Sequence, residues 1–301
     1  MYDVIIIGAG PAGLTSAIYA VRREMKVLVI GEVVGGQMIW ASEFENYPGY
    51  KSISAVDLIN NMAEQVKDLG VEIVNKKVSE IIKDKDNFKI VIGESEYLAK
   101  TIILNTGLDS RKLNVPGEKE LTGRGVSYCA NCDGQFFRNK NVAVIGGGNS
   151  AIDAAEVMSK IANQVYLVNN EKEFTGFEAL VDKITNIKNI EITHGSEVSE
   201  IIGETKVEKI KIRNIKSGEE KELVLDGIFV EIGYEAKTSW LGDLVKLDQR
   251  KQIVIDTKGQ TSCPGIFAAG DVTDVPYKQI VIACGQGAIA ALSAYEYLQL
   301  K

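Results

Sequence analysis

Val4-Ile5-Ile6-Ile7-Gly8-Ala9-Gly10-Pro11-Ala12-Gly13 stands near the start of a chain of 301 residues. Four apolar, mostly β-branched residues in a row read as a strand buried on both faces. The glycines after them permit a tight turn, and an amphipathic pattern running to about Arg22 predicts a helix. Lys26 to Ile30 predicts a second strand. Strand, glycine turn, helix and strand in that order make a dinucleotide-binding unit. Its glycines let the backbone approach a pyrophosphate, and the helix start offers free N–H groups to that charge. Glu32 lies one residue past the usual place of a carboxylate that accepts a ribose hydroxyl.

The same arrangement returns in the middle of the chain. Asn141 to Ile145 reads as a buried strand and enters Gly146-Gly147-Gly148-Asn149-Ser150-Ala151. A helix with Ile152, Ala155 and Met158 on its apolar face follows, then the strand Val165 to Val168. Between the two units, Gly35-Gly36-Gln37-Met38 and Phe44-Glu45-Asn46-Tyr47-Pro48-Gly49 make loops able to lie against a ligand. Residues 55 to 69 predict a helix and 71 to 104 short strands, with Thr106-Gly107 exposing backbone at a strand end. Turn-rich residues 108 to 124 and 237 to 242 mark two chain crossings. Strands are expected over 190 to 232, with a hairpin at Lys216-Ser217-Gly218. The chain closes with the strand Gly265 to Asp271 and a helix from roughly Gly285 to Leu298. The expected fold is therefore α/β, with two Rossmann-like three-layer nucleotide-binding domains, the second inserted into the first. Residues 1–115 and 241–301 form the first domain, and 116–240 the second.

Composition narrows the function classes. A net charge of −7 argues against nucleic acid as a partner, because phosphate binding needs clustered cations. Neither a signal peptide nor an apolar run of membrane-spanning length is apparent, and the expected location is cytoplasmic. Four cysteines include one spaced pair, Cys129-Ala130-Asn131-Cys132-Asp133-Gly134, expected inside a helical turn. Zinc needs four ligands, and one histidine (His194) with no second cysteine pair cannot supply them, so no metal is expected. A redox dithiol remains, its thiolate favoured by a helix start. Cys263 and Cys284 read as ordinary buried thiols, and His194 as a surface residue on an alternating strand.

With these pieces assembled, the sequence resembles the low-molecular-weight thioredoxin reductases over essentially its whole length. The motifs that carry the resemblance are Gly8 to Gly13, Gly35-Gly36-Gln37, Glu45 to Gly49, Cys129 to Gly134, Gly146 to Ala151 and Ala268-Ala269-Gly270-Asp271. The resemblance implies FAD in the first domain and a homodimer. It places Gly270 and Asp271 on the cofactor's phosphate and ribitol side, and Lys278, Gln279 and Ile280 near its ring. It makes Cys132 the sulfur facing the flavin and Cys129 the one that attacks thioredoxin, with Asp133 as proton donor. It also implies rotation of the inserted domain about its two crossings.

One departure bears on the electron donor. NADPH-dependent members carry a His-Arg-Arg-x-x-x-Arg run after the second glycine unit, holding the 2′-phosphate. Here Asn169-Asn170-Glu171 and Thr175 stand in its place, with Glu173 adding negative charge. Arginine serves there because its planar fork binds two phosphate oxygens at once. NADPH is the least expected donor. NADH is open, with Glu171 two residues beyond the usual ribose-binding place. Reduced ferredoxin is favoured, since the sequence then resembles the ferredoxin-dependent flavin thioredoxin reductases, and Trp40 also departs from the common NADPH form. A flavin-bound redox sensor without turnover is an alternative of another class. A ferredoxin–NADP reductase of similar fold is disfavoured by the cysteine pair.

Overall fold

The computed structural model describes residues 1–41 and 43–300, with Trp40 described by its backbone alone; the Trp40 side chain noted above lies outside the described residues. β1 (Tyr2–Ile7) enters α1 (Pro11–Val21) through the first glycine turn, and β2 (Val27–Ile30) returns parallel to β1. Pro11 begins the helix, where a missing N–H costs nothing. An antiparallel pair, β3 (Glu43–Phe44) and β4 (Ile53–Ser54), leads to α2 (Ala55–Asp68). The Ser54 hydroxyl caps α2 by accepting from the Asp57 N–H at 3.0 Å. Then come β5 (Glu72–Val74), β6 (Glu80–Asp84), β7 (Asn87–Ile92) and β8 (Ser95–Leu104). The sheet order is β5-β2-β1-β8-β7-β6, parallel through β5, β2, β1 and β8 and antiparallel beyond.

The chain leaves through β9 (Asp109–Ser110). It continues as α3 (Glu118–Leu121), β10 (Val126–Ser127), α4 (Ala130–Asp133), β11 (Asn141–Ile145), α5 (Asn149–Ser159), β12 (Gln164–Asn169), α6 (Glu178–Thr185) and β13 (Ile190–His194). A three-stranded antiparallel sheet, β14 (Ser196–Ile202), β15 (Lys209–Asn214) and β16 (Glu220–Val224), precedes β17 (Gly227–Val230). Strands β10, β17, β11, β12 and β13 form one parallel sheet in that order. β18 (Tyr234–Glu235) pairs with β9, and β19 (Ile266–Ala268) and α7 (Ile280–Gln299) follow, β19 adding to β8. Two compact units result, Met1–Asp109 with Glu235–Lys301, and Ser110–Tyr234. The exchanges fall within the paired β9 and β18, ahead of the boundaries expected at 115/116 and 240/241, because strand pairing fixes the chain there.

Each unit has its own core. Val4, Ile6, Leu14 and Ile103 are fully buried on one side of the first sheet, with Ile5, Ile102 and Leu104 on the other. The second unit buries Val142, Val144, Ile152 and Met158 on one face and Ala143, Ile210 and Ile228 on the other. Two expectations need correction. α7 begins at Ile280, ahead of Gly285, because Gly285 and Gly287 both lie inside it and do not delay its start; Gly287 is packing surface, whereas Gly285 is exposed. Among the described residues, α7 is also one helix long and apolar enough to cross a membrane, contrary to the sequence reading. Its composition follows from packing in the first unit, where Ala283, Ala290, Ala291 and Ala294 join the core.

Gly287 decides the α1–α7 contact. A Cβ there would stand 2.2 Å from the Ala12 carbonyl oxygen, and the Ser16 hydroxyl donates to the Gly287 carbonyl at 3.0 Å. Forcing the helices apart costs about 1–3 kcal/mol by overpacking. Gly287→Ala therefore lowers the urea midpoint of the first unit; an unchanged midpoint would show that the helices do not need this approach.

Candidate functional site

In the first unit the strands end together, and the turns that follow them collect at one sheet edge, where ligands of open α/β sheets bind. Gly8 has φ +112°, and a Cβ on it would stand 2.1 Å from the Asn105 carbonyl oxygen, so the first turn runs directly beside the chain entering Thr106 and Gly107. A Cβ on Gly13 would lie 1.8 Å from the Gly8 oxygen, which closes helix on turn. Gly10 is different. Its missing side chain faces only Gly36, at 3.9 Å, and leaves a bare backbone surface. The Gly35 N–H donates to the Ala9 carbonyl at 2.8 Å, fixing Gly35, Gly36 and Gln37 against the first turn. Gly31 explains the late carboxylate: its Cβ would stand 2.6 Å from the Ala9 nitrogen, so no acid fits there, and exposed Glu32 comes next, 3.8 Å from Lys77.

The remaining expected residues of this unit meet around the start of α7. The Asn46 amide donates to Gln279 Oε1 at 3.1 Å, which joins the loop at 44–49 to residues 278–280. The Gly270 N–H donates to Gln286 Oε1 at 2.9 Å, and Lys278 Nζ donates to the Thr273 carbonyl at 2.7 Å. Burial pushes the Asp271 carboxyl up to about 6, with Lys278 acting the other way. Burial likewise holds the Lys278 ammonium below its usual value. The sequence reading missed Gln286, whose only signal is its place nearly two turns into α7. Cys284 is half-buried rather than buried, its thiol facing the Pro11 carbonyl at 3.8 Å; Cys263 is buried.

In the second unit Cys129 and Cys132 form a disulfide, with S–S 2.09 Å and Cα atoms 5.3 Å apart. Both are half-buried. They do not share a helical turn as expected. Cys129 is extended, with φ −149° and ψ 101°, and stands just before α4, which holds Cys132. α4 is a single turn of four residues, so its dipole has too few peptides behind it to govern a thiolate. Local side chains take over that task. The Ser127 hydroxyl, at the end of β10, donates to Asp133 Oδ2 at 2.7 Å and accepts from the Cys129 N–H at 3.1 Å. Burial raises the Asp133 carboxyl above its ordinary value, the Ser127 bond opposing it. Glu231, just past β17, accepts from the Ala130 N–H at 3.4 Å. Glu231 carries no sequence signal, because strand order brings it in; Ser127 stands two residues before Cys129, and only the turn between them shows its hydroxyl on Asp133.

The second glycine turn is covered by its own chain. Asn169 is buried; its amide donates to the Glu173 carbonyl at 2.9 Å, and its oxygen accepts from the Glu171 N–H at 3.1 Å. The Thr175 N–H donates to the Gly147 carbonyl at 2.8 Å, and the Phe177 N–H to Asn149 Oδ1 at 2.7 Å. Glu171 and Glu173 are exposed. His194 is exposed as expected, with its Nδ1 3.3 Å from the Asn169 amide and its ring against Phe174. Among the described residues no group of three or more potential metal ligands occurs.

Residues 2–287 match the model of the pyridine nucleotide-disulphide oxidoreductases. A thioredoxin reductase from Streptococcus pyogenes MGAS5005 is similar in structure, at 39% identity and TM-score 0.86, over 100% of this chain and 99% of that one. A ferredoxin-flavin thioredoxin reductase from Clostridium acetobutylicum is similar at 33% identity and TM-score 0.55, over 100% and 99%. An alkyl hydroperoxide reductase polypeptide of Staphylococcus aureus (strain NCTC 8325 / PS 47) is 40% identical over 99% of this chain but only 59% of its own length. The chain thus spans about three fifths of the curated relatives it matches.

Ser127 bears on Asp133 with a definite sign. Its hydrogen bond favours the carboxylate, so Ser127→Ala lets burial act alone and moves Asp133 ionisation to higher pH. Carboxyl-carbon NMR of Asp133 reads the shift, and an unmoved titration would remove Ser127 from the site.

Proposed function

The chain belongs to the pyridine nucleotide-disulphide oxidoreductase family, whose members act on disulfides, and from that premise we propose that it is a flavin-dependent thioredoxin-disulfide reductase supplied with electrons by reduced ferredoxin. The observation that carries the reading is the half-buried Cys129–Cys132 disulfide beside a carboxyl that burial keeps ready to hold a proton. The first unit fits FAD. The bare surface between Gly10 and Gly36 suits a pyrophosphate, and the half-buried Asp271 suits a ligand hydroxyl. In this reading Gly8, Gly10, Pro11, Ala12 and Gly13 hold the pyrophosphate and Glu32 a ribose hydroxyl. Gly35, Gly36, Gln37, Asn46, Thr106, Gly107, Gly270, Asp271, Lys278, Gln279 and Ile280 complete the site. FAD, when bound, accepts electrons singly and delivers them in pairs, which is what joins a one-electron protein donor to a disulfide.

The chain's own residues then do the following. Breaking the Cys129–Cys132 bond with two electrons leaves two sulfurs, and Asp133 protonates the departing thiolate. The Cys129 thiolate attacks the thioredoxin disulfide and forms a mixed disulfide. Cys132 attacks Cys129 in turn, restoring the internal bond and releasing dithiol thioredoxin. The proposal includes a homodimer, supported by exposed apolar Val281 and Ile289 on one face of α7, and a reducing cytoplasmic setting, supported by free Cys263 and Cys284.

The donor assignment rests on the segment after β12. Asn169, where an arginine-rich run would begin, is buried as a pin for the loop, and the exposed Glu171 and Glu173 repel a 2′-phosphate. The ferredoxin-flavin relative supports a protein donor; NADH is the alternative, with Glu171 accepting its ribose. The similarity to the alkyl hydroperoxide reductase supports a second acceptor, a disulfide of a peroxide-reducing protein.

Anaerobic bleaching of the flavin by NADPH, NADH and reduced ferredoxin tests the donor. Ferredoxin should reduce it fastest, and fast bleaching by NADPH would sink the assignment. Cys132→Ser should abolish thioredoxin reduction while FAD stays bound, whereas Cys263→Ser and Cys284→Ser should leave turnover nearly intact. Turnover retained in Cys132→Ser removes the relay.

A further inference from the structure

Glu231 is a largely enclosed titratable group that the relay above does not use. β17 is the middle strand between β10 and β11, and Glu231 follows it directly. β10 leads to the disulfide and β11 to the second glycine turn, so this residue stands between both. Its own N–H donates to the Ile145 carbonyl at 2.8 Å, and its carbonyl oxygen lies 2.4 Å from where a Cβ on Gly146 would be. Its backbone is thus fixed on the β11 side. Its side chain reaches the other way, to the N–H of Ala130, the residue that follows Cys129. That N–H is one of the few main-chain donors available to a thiolate at Cys129, since the Cys132 and Asp133 N–H groups already donate to the Cys129 carbonyl, at 3.3 and 3.1 Å.

We propose that Glu231 is a positioning residue for the redox pair, taking up the second proton of disulfide reduction and so leaving Cys129 as the thiolate. The inference rests on the redox role given to the pair above. Reduction by a dithiol breaks the Cys129–Cys132 bond and makes a disulfide of the reductant, releasing two protons with the two electrons. One proton goes to Cys132 and the other to ionised Glu231. The product is one thiol, one thiolate and one neutral carboxyl, with the total charge unchanged.

Two effects act in the same direction. An ionised carboxylate beside Cys129 repels a thiolate, and it also binds the Ala130 N–H more strongly than a neutral carboxyl does. Protonation of Glu231 relieves both. Burial places this ionisation at about 7, with the Ala130 bond lowering it and Asp153 raising it. The groups facing Glu231 are Asp153 from α5 and the Ala130 N–H from α4. Asp133, on the same turn, is held by Ser127 from β10.

The test is the pH profile of Cys129 alkylation by iodoacetamide in the full-length flavoprotein reduced with dithiothreitol, read by peptide mapping. Wild type should show a rate that rises over a wider pH range than one ionisation allows. Glu231→Gln should give a single-ionisation curve displaced to lower pH, with alkylation near neutrality roughly threefold or more faster. Asp153→Asn, an exposed change, should move the broad part of the wild-type curve to lower pH. Coincident curves for wild type and Glu231→Gln overturn the proposal. If Glu231→Gln does not fold, an unmoved Asp153→Asn curve overturns it instead. A parallel reduction by thioredoxin dithiol separates the two readings: failure there, with the dithiothreitol curves differing as expected, sinks the thioredoxin assignment and leaves the role of Glu231 standing.

Discussion

A parallel strand must hand its chain to the next element at one end, and here that handover leaves no room for a side chain. Gly13 lies so close to the Gly8 carbonyl that a Cβ would stand 1.8 Å from its oxygen. In the second unit the Cβ of Ala151 already occupies the space, 2.9 Å from where a Cβ on Gly146 would be, so the glycine at the turn carries the whole requirement. The close approach draws α1 and α5 over their sheets and leaves the strand ends open on one edge. In the first unit Gly8, Gly10, Glu32, Thr106, Gly107, Gly270 and Asp271 all follow strands of that sheet directly.

The fold was legible because the constraint writes itself as glycine spacing after an apolar run. Val4 to Gly13 and Asn141 to Ala151 each announce a strand, a turn and a helix, and the structure forms all six elements. The cysteine pair was legible as a pair, but its surroundings were not. Glu231 reaches the disulfide because β10 and β17 are neighbours in a sheet, although about a hundred residues separate them in the chain, whereas Ser127 stands two residues before Cys129 and depends on the local turn. α7 was misjudged in a similar way. Its glycines look like weak helix formers in isolation, yet Gly287 is what lets it lie against α1.

The two glycine turns differ in what covers them. Gly10 faces only Gly36, whereas Gly147 faces the Asn169 side chain and bonds Thr175. One sequence pattern thus supports an open backbone cradle in the first unit and a turn covered by its own loop in the second. The pattern records how a helix approaches a sheet; what the surface then accepts depends on residues further along. This is why the same glycine motif leaves an open backbone surface in one unit and a covered one in the other.

The pinning of the 170–177 loop has a consequence for how such a chain can change. Its shape depends on Asn169, on the carbonyl of Gly147 and on the side chain of Asn149. Asn170, Glu171, Lys172 and Glu173 are exposed on it, and their side chains can be exchanged with the supporting bonds left in place. The surface that this loop presents can therefore vary while the bonds that hold its backbone stay as they are. A lineage built on this scaffold can alter the charge of that surface by substitution alone, under none of the packing constraints that keep Gly8, Gly13 and Gly287 as they are.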